Sequence, residues 1–175
     1  MRESELRLLM KAIHFAAGKH RAQTRKDVDS SPYINHPIAV AMTILDVGGV
    51  TNVATLAAAV LHDTVEDTET THDELVREFG TEVANIVTEV TDDKTLSKQE
   101  RKQRQIEHAK QLSRAAKHVK LGDKICNVTD VLHCPPAGWT DDRKHEYVEW
   151  AAKVVHEIRG TNTELEEHFD QLVAS

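Results

Sequence analysis

The stretch Val53-Ala54-Thr55-Leu56-Ala57-Ala58-Ala59-Val60-Leu61-His62-Asp63-Thr64-Val65-Glu66-Asp67 decides how this chain is read. Val53, Leu56, Ala57, Val60 and Leu61 recur at α-helical spacing, so the first part predicts an apolar helix. The pair His62-Asp63 follows directly on it, and Glu66 and Asp67 come just after. Imidazole beside carboxylate suits a divalent transition metal, with manganese, iron or zinc favoured over calcium. Two further acids can orient an attacking water or take its proton. The run therefore reads first as a metal-assisted hydrolase site. Taken alone, the same residues also suit a solvated acidic loop after a helix.

Two companions lie outside the stretch. His36 stands upstream in Asn35-His36-Pro37, and Asp123 downstream in Lys120-Leu121-Gly122-Asp123-Lys124. His36, His62, Asp63 and Asp123 together make a four-ligand nitrogen and oxygen set, with positions left for water and substrate.

Helical spacing continues in both directions. Leu6, Leu9, Met10, Ile13 and Ala17 predict a first helix, and residues 21–32 a polar loop. Pro37 suits the first turn of a second helix with Ile38, Ala41, Met42 and Leu45 on one face, ended by Gly48-Gly49. Thr71-His72-Asp73-Glu74 and Ser97-Lys98-Gln99-Glu100 have capping-box form, and Gly80 is a stop signal. Residues 114–132 predict one long helix, broken by Pro135-Pro136. On it Lys120, Asp123, Asn127 and Asp130 share a polar face, while Leu121, Ile125, Val128 and Leu132 cover another. Tyr147, Trp150, Ala151, Val154 and Ile158 form a late helical face, and Thr161-Asn162-Thr163-Glu164 opens a final short helix. No alternating run is long enough for a sheet, so the expected class is all-α.

With 175 residues, 39% of them hydrophobic and 29% charged, the chain fits one globular domain with a real core. No apolar run approaches a membrane span, and the N-terminus is too acidic and interrupted for a signal peptide. A net charge of −7 argues against non-specific nucleic-acid binding, so no nucleic-acid partner is expected. Cys126 and Cys134 lack a metal-type spacing and are a thin basis for a disulfide, which points to a reducing, cytoplasmic location. Nothing in the sequence sets the oligomeric state. The other nine histidines lack comparable acidic partners in sequence and read as surface or satisfied structural residues. Trp139 and Trp150 read as packing residues rather than base-stacking platforms.

Taken in order, Tyr33-Ile34-Asn35-His36-Pro37, Leu61-His62-Asp63-Thr64-Val65-Glu66-Asp67-Thr68 and Lys120-Leu121-Gly122-Asp123-Lys124 with Asn127 resemble the hydrolase domain of the RelA/SpoT family, within the HD phosphohydrolases. The likeness is greater to the stand-alone metazoan SpoT homologues. Residues 88–96, Glu100-Arg101-Lys102, Glu146-Tyr147-Val148-Glu149-Trp150-Ala151-Ala152 and Gly160-Thr161-Asn162 carry it from about Glu5 to Leu172. The resemblance implies one compact HD-type helical domain over residues 1–175. It implies one manganese ion on His36, His62, Asp63 and Asp123, with Glu66 and Asp67 as catalytic acids. It places Arg25 and Lys26 near the nucleotide base, Asn127 as a substrate-contacting amide and Tyr147 near the substrate. The implied reaction removes the 3′-pyrophosphate of ppGpp or pppGpp, giving GDP or GTP, with no alarmone synthesis. Release of the 2′-phosphate of NADPH, or hydrolysis of another phosphorylated nucleotide, is the nearest alternative. A catalytically weak nucleotide sensor is an alternative of another class.

The chain departs from the family pattern twice. Gly122 stands where alanine is usual, which weakens the helix by up to about 1 kcal/mol. Thr129 stands where arginine is usual, removing a cation that could reach a phosphate or brace the site. The basic residues Lys98, Arg101, Lys102 and Arg104 could attract a polyphosphate, although such a run is commonly solvated or engaged in surface ion pairs.

Overall fold

A computed structural model describes residues 2–174. In chain order these form α1 (Glu3–Lys19), α2 (Asn35–Asp46), α3 (Val53–Leu61), α4 (Thr64–Asp67), α5 (His72–Phe79), α6 (Thr81–Val90), α7 (Lys98–Ala109), α8 (Arg114–His133), α9 (Asp141–Glu157) and α10 (Thr163–Ala174). The fold is all-α. An isolated antiparallel bridge between Thr24 and Pro32 is the only β pairing among the described residues.

α3 occupies the centre because it is apolar nearly all round. Asn52 caps its start by accepting the Thr55 N–H at 2.8 Å, and every residue from Thr55 to Leu61 is buried. Ala12 and Ala16 of α1, Val40 and Ile44 of α2, Val83, Ala84 and Val87 of α6, and Ala116 and Val119 of α8 complete this core. The α5–α6 corner turns at Gly80, whose φ of 86° suits a residue without Cβ. Ser97 and Glu100 close the expected capping box at the start of α7. Thr71 accepts the Glu74 N–H at the start of α5.

α8 is a shared wall. Its far face, Leu121, Ile125 and Val128, packs with Ala151, Val154 and Val155 of α9 and with Leu165 and Phe169 of α10 in a second core. The candidate site lies where these two cores meet on α8.

Two expected faces hold except at one residue each. Ala41 and Leu45 pack on the core beside the buried Val40 and Ile44, while Met42 is 47% exposed. Leu132 is 40% exposed, while Val131 is buried. Residues 38–45 are apolar almost without interruption, so spacing alone cannot choose among helical phases there. Gly122 has a packing reason. A Cβ added there would stand 2.7 Å from Ile44 Cγ1, so the bare backbone lets α2 and α8 approach closely. Among the described residues, no helix is long and apolar enough to cross a membrane.

Candidate active site and metal centre

His62 and Asp63 occupy the break between α3 and the single turn of α4. Side chains satisfy the carbonyls left open at the end of α3. His62 Nδ1 lies 2.7 Å from the Ala59 carbonyl, and the Thr64 hydroxyl donates to the Leu61 carbonyl at 2.7 Å. The first bond fixes one proton on Nδ1, since a carbonyl only accepts, and leaves Nε2 facing inward to take a second proton or a cation.

His36 from α2 and Asp123 from α8 face it. His36 Nε2 is 3.2 Å from Asp123 Oδ1, and His62 Nε2 is 3.7 Å from the same oxygen. One ligand atom from each of these three residues lies within 4.8 Å of the others. Asp63 Oδ2 stands 3.1 Å from His62 Nε2 and 4.0 Å from His36 Nε2. Three of the four expected ligands thus converge, and Asp63 stands against the two imidazoles beside them.

The donor chemistry fits a divalent cation. His62 Nε2 is fully buried and has no hydrogen-bond partner, because the nearby carboxylate oxygens lie off its bonding direction. Outer contacts already orient Asp123: Asn127 Nδ2 donates to Oδ1 at 2.6 Å and Lys124 Nζ to Oδ2 at 3.1 Å. Burial lowers the basicity of His62, but the Asp63 and Asp123 carboxylates outweigh it and raise its pKa to about 10. Burial likewise opposes ionisation of Asp63, yet the neighbouring imidazoles hold its carboxyl below the usual range. A cation can take over the role of that imidazole proton.

Glu66 and Asp67 sit on α4 beside this centre. Glu66 Oε2 accepts the Asp92 N–H at 3.1 Å, and Arg101 approaches the other oxygen at 3.5 Å. Burial pushes the Glu66 carboxyl up to about 7 against that backbone hydrogen bond. Asp67 pairs with Lys94 and receives the Tyr33 hydroxyl at 3.2 Å.

The expected substrate residues line two adjoining hollows. The inner one, about 370 Å³, holds the His–Asp cluster, Glu66 and Asp67. Lys98, Arg101, Lys102, Lys120 and Lys124 also line it. The outer one, about 520 Å³, is lined by Val131, Pro136 and Trp139 among others. Arg25, Lys26, Tyr33, Asp67, Asn127 and Tyr147 line both, so the two spaces adjoin. Arg25 donates to Asn127 Oδ1 at 3.1 Å and pairs with Asp130 Oδ2 at 2.5 Å. The Lys26 carbonyl accepts the Ala137 N–H at 3.2 Å, joining the two loops that form the outer rim.

Several expectations need correction. Lys98, Arg101 and Lys102 face the inner hollow rather than solvent alone, while Arg104 lines a side chamber of about 130 Å³. Trp139 and Trp150 do pack, in edge contacts with Tyr147 at 5.7 and 5.3 Å, but each is also a wall of a hollow. His20 and His118 are buried with Nε2 unpartnered, so neither is a surface or fully satisfied residue. Thr129 does not line the inner hollow. It lines a separate space behind Arg25 and Asp130, and its hydroxyl donates to the Ile125 carbonyl at 2.8 Å. An arginine there would enter that space beside Asp27 and Asp130.

Sequence reasoning missed Tyr33, Asp92, Lys124 and Asp130 as parts of the site. All four lay inside stretches already singled out: Tyr33, Asp92 and Lys124 in the quoted motifs, and Asp130 on the polar face of the long helix, but none of these signals gave a role.

Comparison with known proteins sets this geometry in context. A family model described as HD domain matches residues 12–149. The guanosine-3′,5′-bis(diphosphate) 3′-pyrophosphohydrolase MESH1 of Xenopus tropicalis is 52% identical over 169 residues, spanning 97% of this chain and 94% of the relative. The protein of the same name from Homo sapiens is 53% identical with the same coverage. A solved structure described as a metazoan orthologue of SpoT that hydrolyses ppGpp matches with a TM-score of 0.93 and 44% identity, covering 95% of this chain and 94% of that one.

Proposed function

The chain belongs to the HD domain family, and from that premise we propose that it is a metal-dependent hydrolase of the 3′-pyrophosphate of ppGpp and pppGpp. The observation that carries this reading is the grouping of the site in two adjoining hollows. The inner one brings a buried His–Asp cluster and Glu66 together with basic side chains, and the outer one beside it is large enough for a nucleoside. In the reaction the bond between the ribose 3′ oxygen and phosphorus breaks. The water oxygen joins that phosphorus, a proton ends on the 3′ oxygen, and pyrophosphate leaves with GDP or GTP.

A divalent cation, Mn²⁺ in this proposal, held by His36, His62, Asp63 and Asp123, supplies Lewis acidity and a more acidic water when bound. Glu66 takes the water proton, since a carboxyl poised near neutrality is matched to that task. Asp67 orients the water. Arg25 and Lys26 flank the base, Asn127 and Tyr147 contact the nucleoside, and the inner cations hold the polyphosphate. One domain over residues 1–175 carries the activity. Two free cysteines support a cytoplasmic setting.

The test is turnover by Mn²⁺-loaded and chelator-treated protein on ppGpp, pppGpp and NADPH, with pyrophosphate and phosphate measured separately. Pyrophosphate release from ppGpp that chelation abolishes and Mn²⁺ restores is the expected result. Phosphate from NADPH alone would make the protein a 2′-phosphatase instead. Tight ppGpp binding without turnover would make it a sensor.

A further inference from the structure

Tyr33 stands between the metal centre and the acid pair. Its hydroxyl lies 2.6 Å from Asp63 Oδ2 and 3.2 Å from Asp67 Oδ2. That Asp63 oxygen is the one 3.1 Å from His62 Nε2. A phenol has one proton to give. The distances assign it to Asp63, with Asp67 as the second, weaker acceptor.

The contact rests on a frame of its own. The Tyr33 ring lies against His20 at 4.9 Å, and its N–H donates to the Gln23 carbonyl at 3.0 Å. The Gln23 side chain donates to the Asp67 carbonyl at 2.7 Å, and His20 Nδ1 meets Gln23 Oε1 at 2.7 Å. One short segment after α1 thus holds both the phenol and the end of α4. Without a donor between them, Asp63 and Asp67 would face each other as like charges in a half-buried space.

We propose that Tyr33 is a positioning residue that couples the metal centre to the acid pair, orienting Asp63 toward the imidazoles while bridging to Asp67. A donor to a ligating carboxylate fixes its direction, and removing such a partner commonly costs 10- to 100-fold in metal affinity or activity. This role rests on the metal-centre reading above and not on which nucleotide is hydrolysed.

Tyr33→Phe tests it, because the ring and its His20 contact stay. Mn²⁺ is titrated into chelator-treated protein without substrate, and free Mn²⁺ is read by electron paramagnetic resonance. The variant is expected to bind Mn²⁺ about tenfold more weakly. At saturating Mn²⁺, kcat should fall while KM for ppGpp stays within about twofold, a split that general loosening of the fold would not give. Asp67→Asn should bind Mn²⁺ like the wild type, and adding Tyr33→Phe to it should weaken binding by the same factor as alone. Wild-type Mn²⁺ affinity in Tyr33→Phe overturns the proposal. Loss of affinity in a protein that proves inactive on ppGpp would instead overturn only the substrate reading.

Discussion

Glu66 and Asp67 are neighbours in the chain but stand in opposite electrostatic settings. Glu66 has a side chain only 18% exposed and a carboxyl raised by burial to about 7, whereas Asp67 is paired with Lys94. Glu66→Gln should lower kcat by about 10²-fold with Mn²⁺ content retained, since Glu66 is not in the proposed ligand set. The same substitution has a stability consequence of definite sign. The folded carboxyl binds its proton more tightly than the unfolded one, so between about pH 4.5 and 7 the native state holds more protons and stability falls as pH rises. Glutamine keeps an acceptor for the Asp92 N–H but cannot ionise. In metal-free protein, urea unfolding should therefore show the variant gaining on the wild type between pH 5 and pH 8 by on the order of 2 kcal/mol. Equal pH slopes would mean that Arg101, 3.5 Å away, neutralises the carboxylate in place. That these residues lie together was legible because His62, Asp63, Glu66 and Asp67 are near neighbours in the chain at the end of one apolar helix. The different settings of the two acids were not, because they depend on Asp92, Lys94 and Tyr33, which only folding brings to them.

At the level of helices, the termini were easier to read than the faces. Ser97 with Glu100, Thr71 and Gly80 all act at helix ends as local chemistry demands. The phase of α2 was hidden by its unbroken apolar run, and with it the partner of Gly122. Propensity alone says that Gly122→Ala should stabilise α8 by up to about 1 kcal/mol. The packing says otherwise. A Cβ would meet Ile44 Cγ1 at 2.7 Å and Cδ1 at 3.0 Å, and Cγ1 is too close to the backbone to swing aside freely. Overpacking of a close contact costs about 1–3 kcal/mol. Gly122→Ala is thus expected to destabilise the fold by about 1 kcal/mol net, and Ile44→Ala in the same chain should leave no further penalty from the alanine at 122. Denaturant midpoints of the two single variants and the double variant measure this. A midpoint that rises in Gly122→Ala would show that α2 and α8 separate at no cost.

The molecule as a whole is acidic, with a net charge of −7, yet its inner hollow is lined by more basic than acidic side chains. Those cations come from α7 (Lys98, Arg101, Lys102), from α8 (Lys120, Lys124) and from the loop before α2 (Arg25, Lys26). Composition averages over them, and in sequence the α7 group looks like an ordinary solvated face. Only the docking of α7 and α8 around one space reveals the field. Net charge and local field predict opposite salt effects on a polyanionic substrate. If the −7 surface governed approach, screening would relieve repulsion and KM for ppGpp would fall as salt rises. If the enclosed cations govern, screening weakens attraction and KM rises, with kcat nearly unchanged because the chemistry lies inside the hollow. The local balance favours the second outcome: seven basic side chains against five acidic ones line that space, and low-dielectric walls focus the surplus into it. Between about 50 and 500 mM KCl, over which the Debye length falls from roughly 14 to roughly 4 Å, KM is expected to rise several-fold. Lys102→Gln should raise KM at low salt and flatten that dependence, since its ammonium sits over the Trp150 ring at 4.8 Å on the hollow's wall. A KM that falls with salt in the wild type would assign substrate approach to the acidic exterior and leave the cation wall without a steering role.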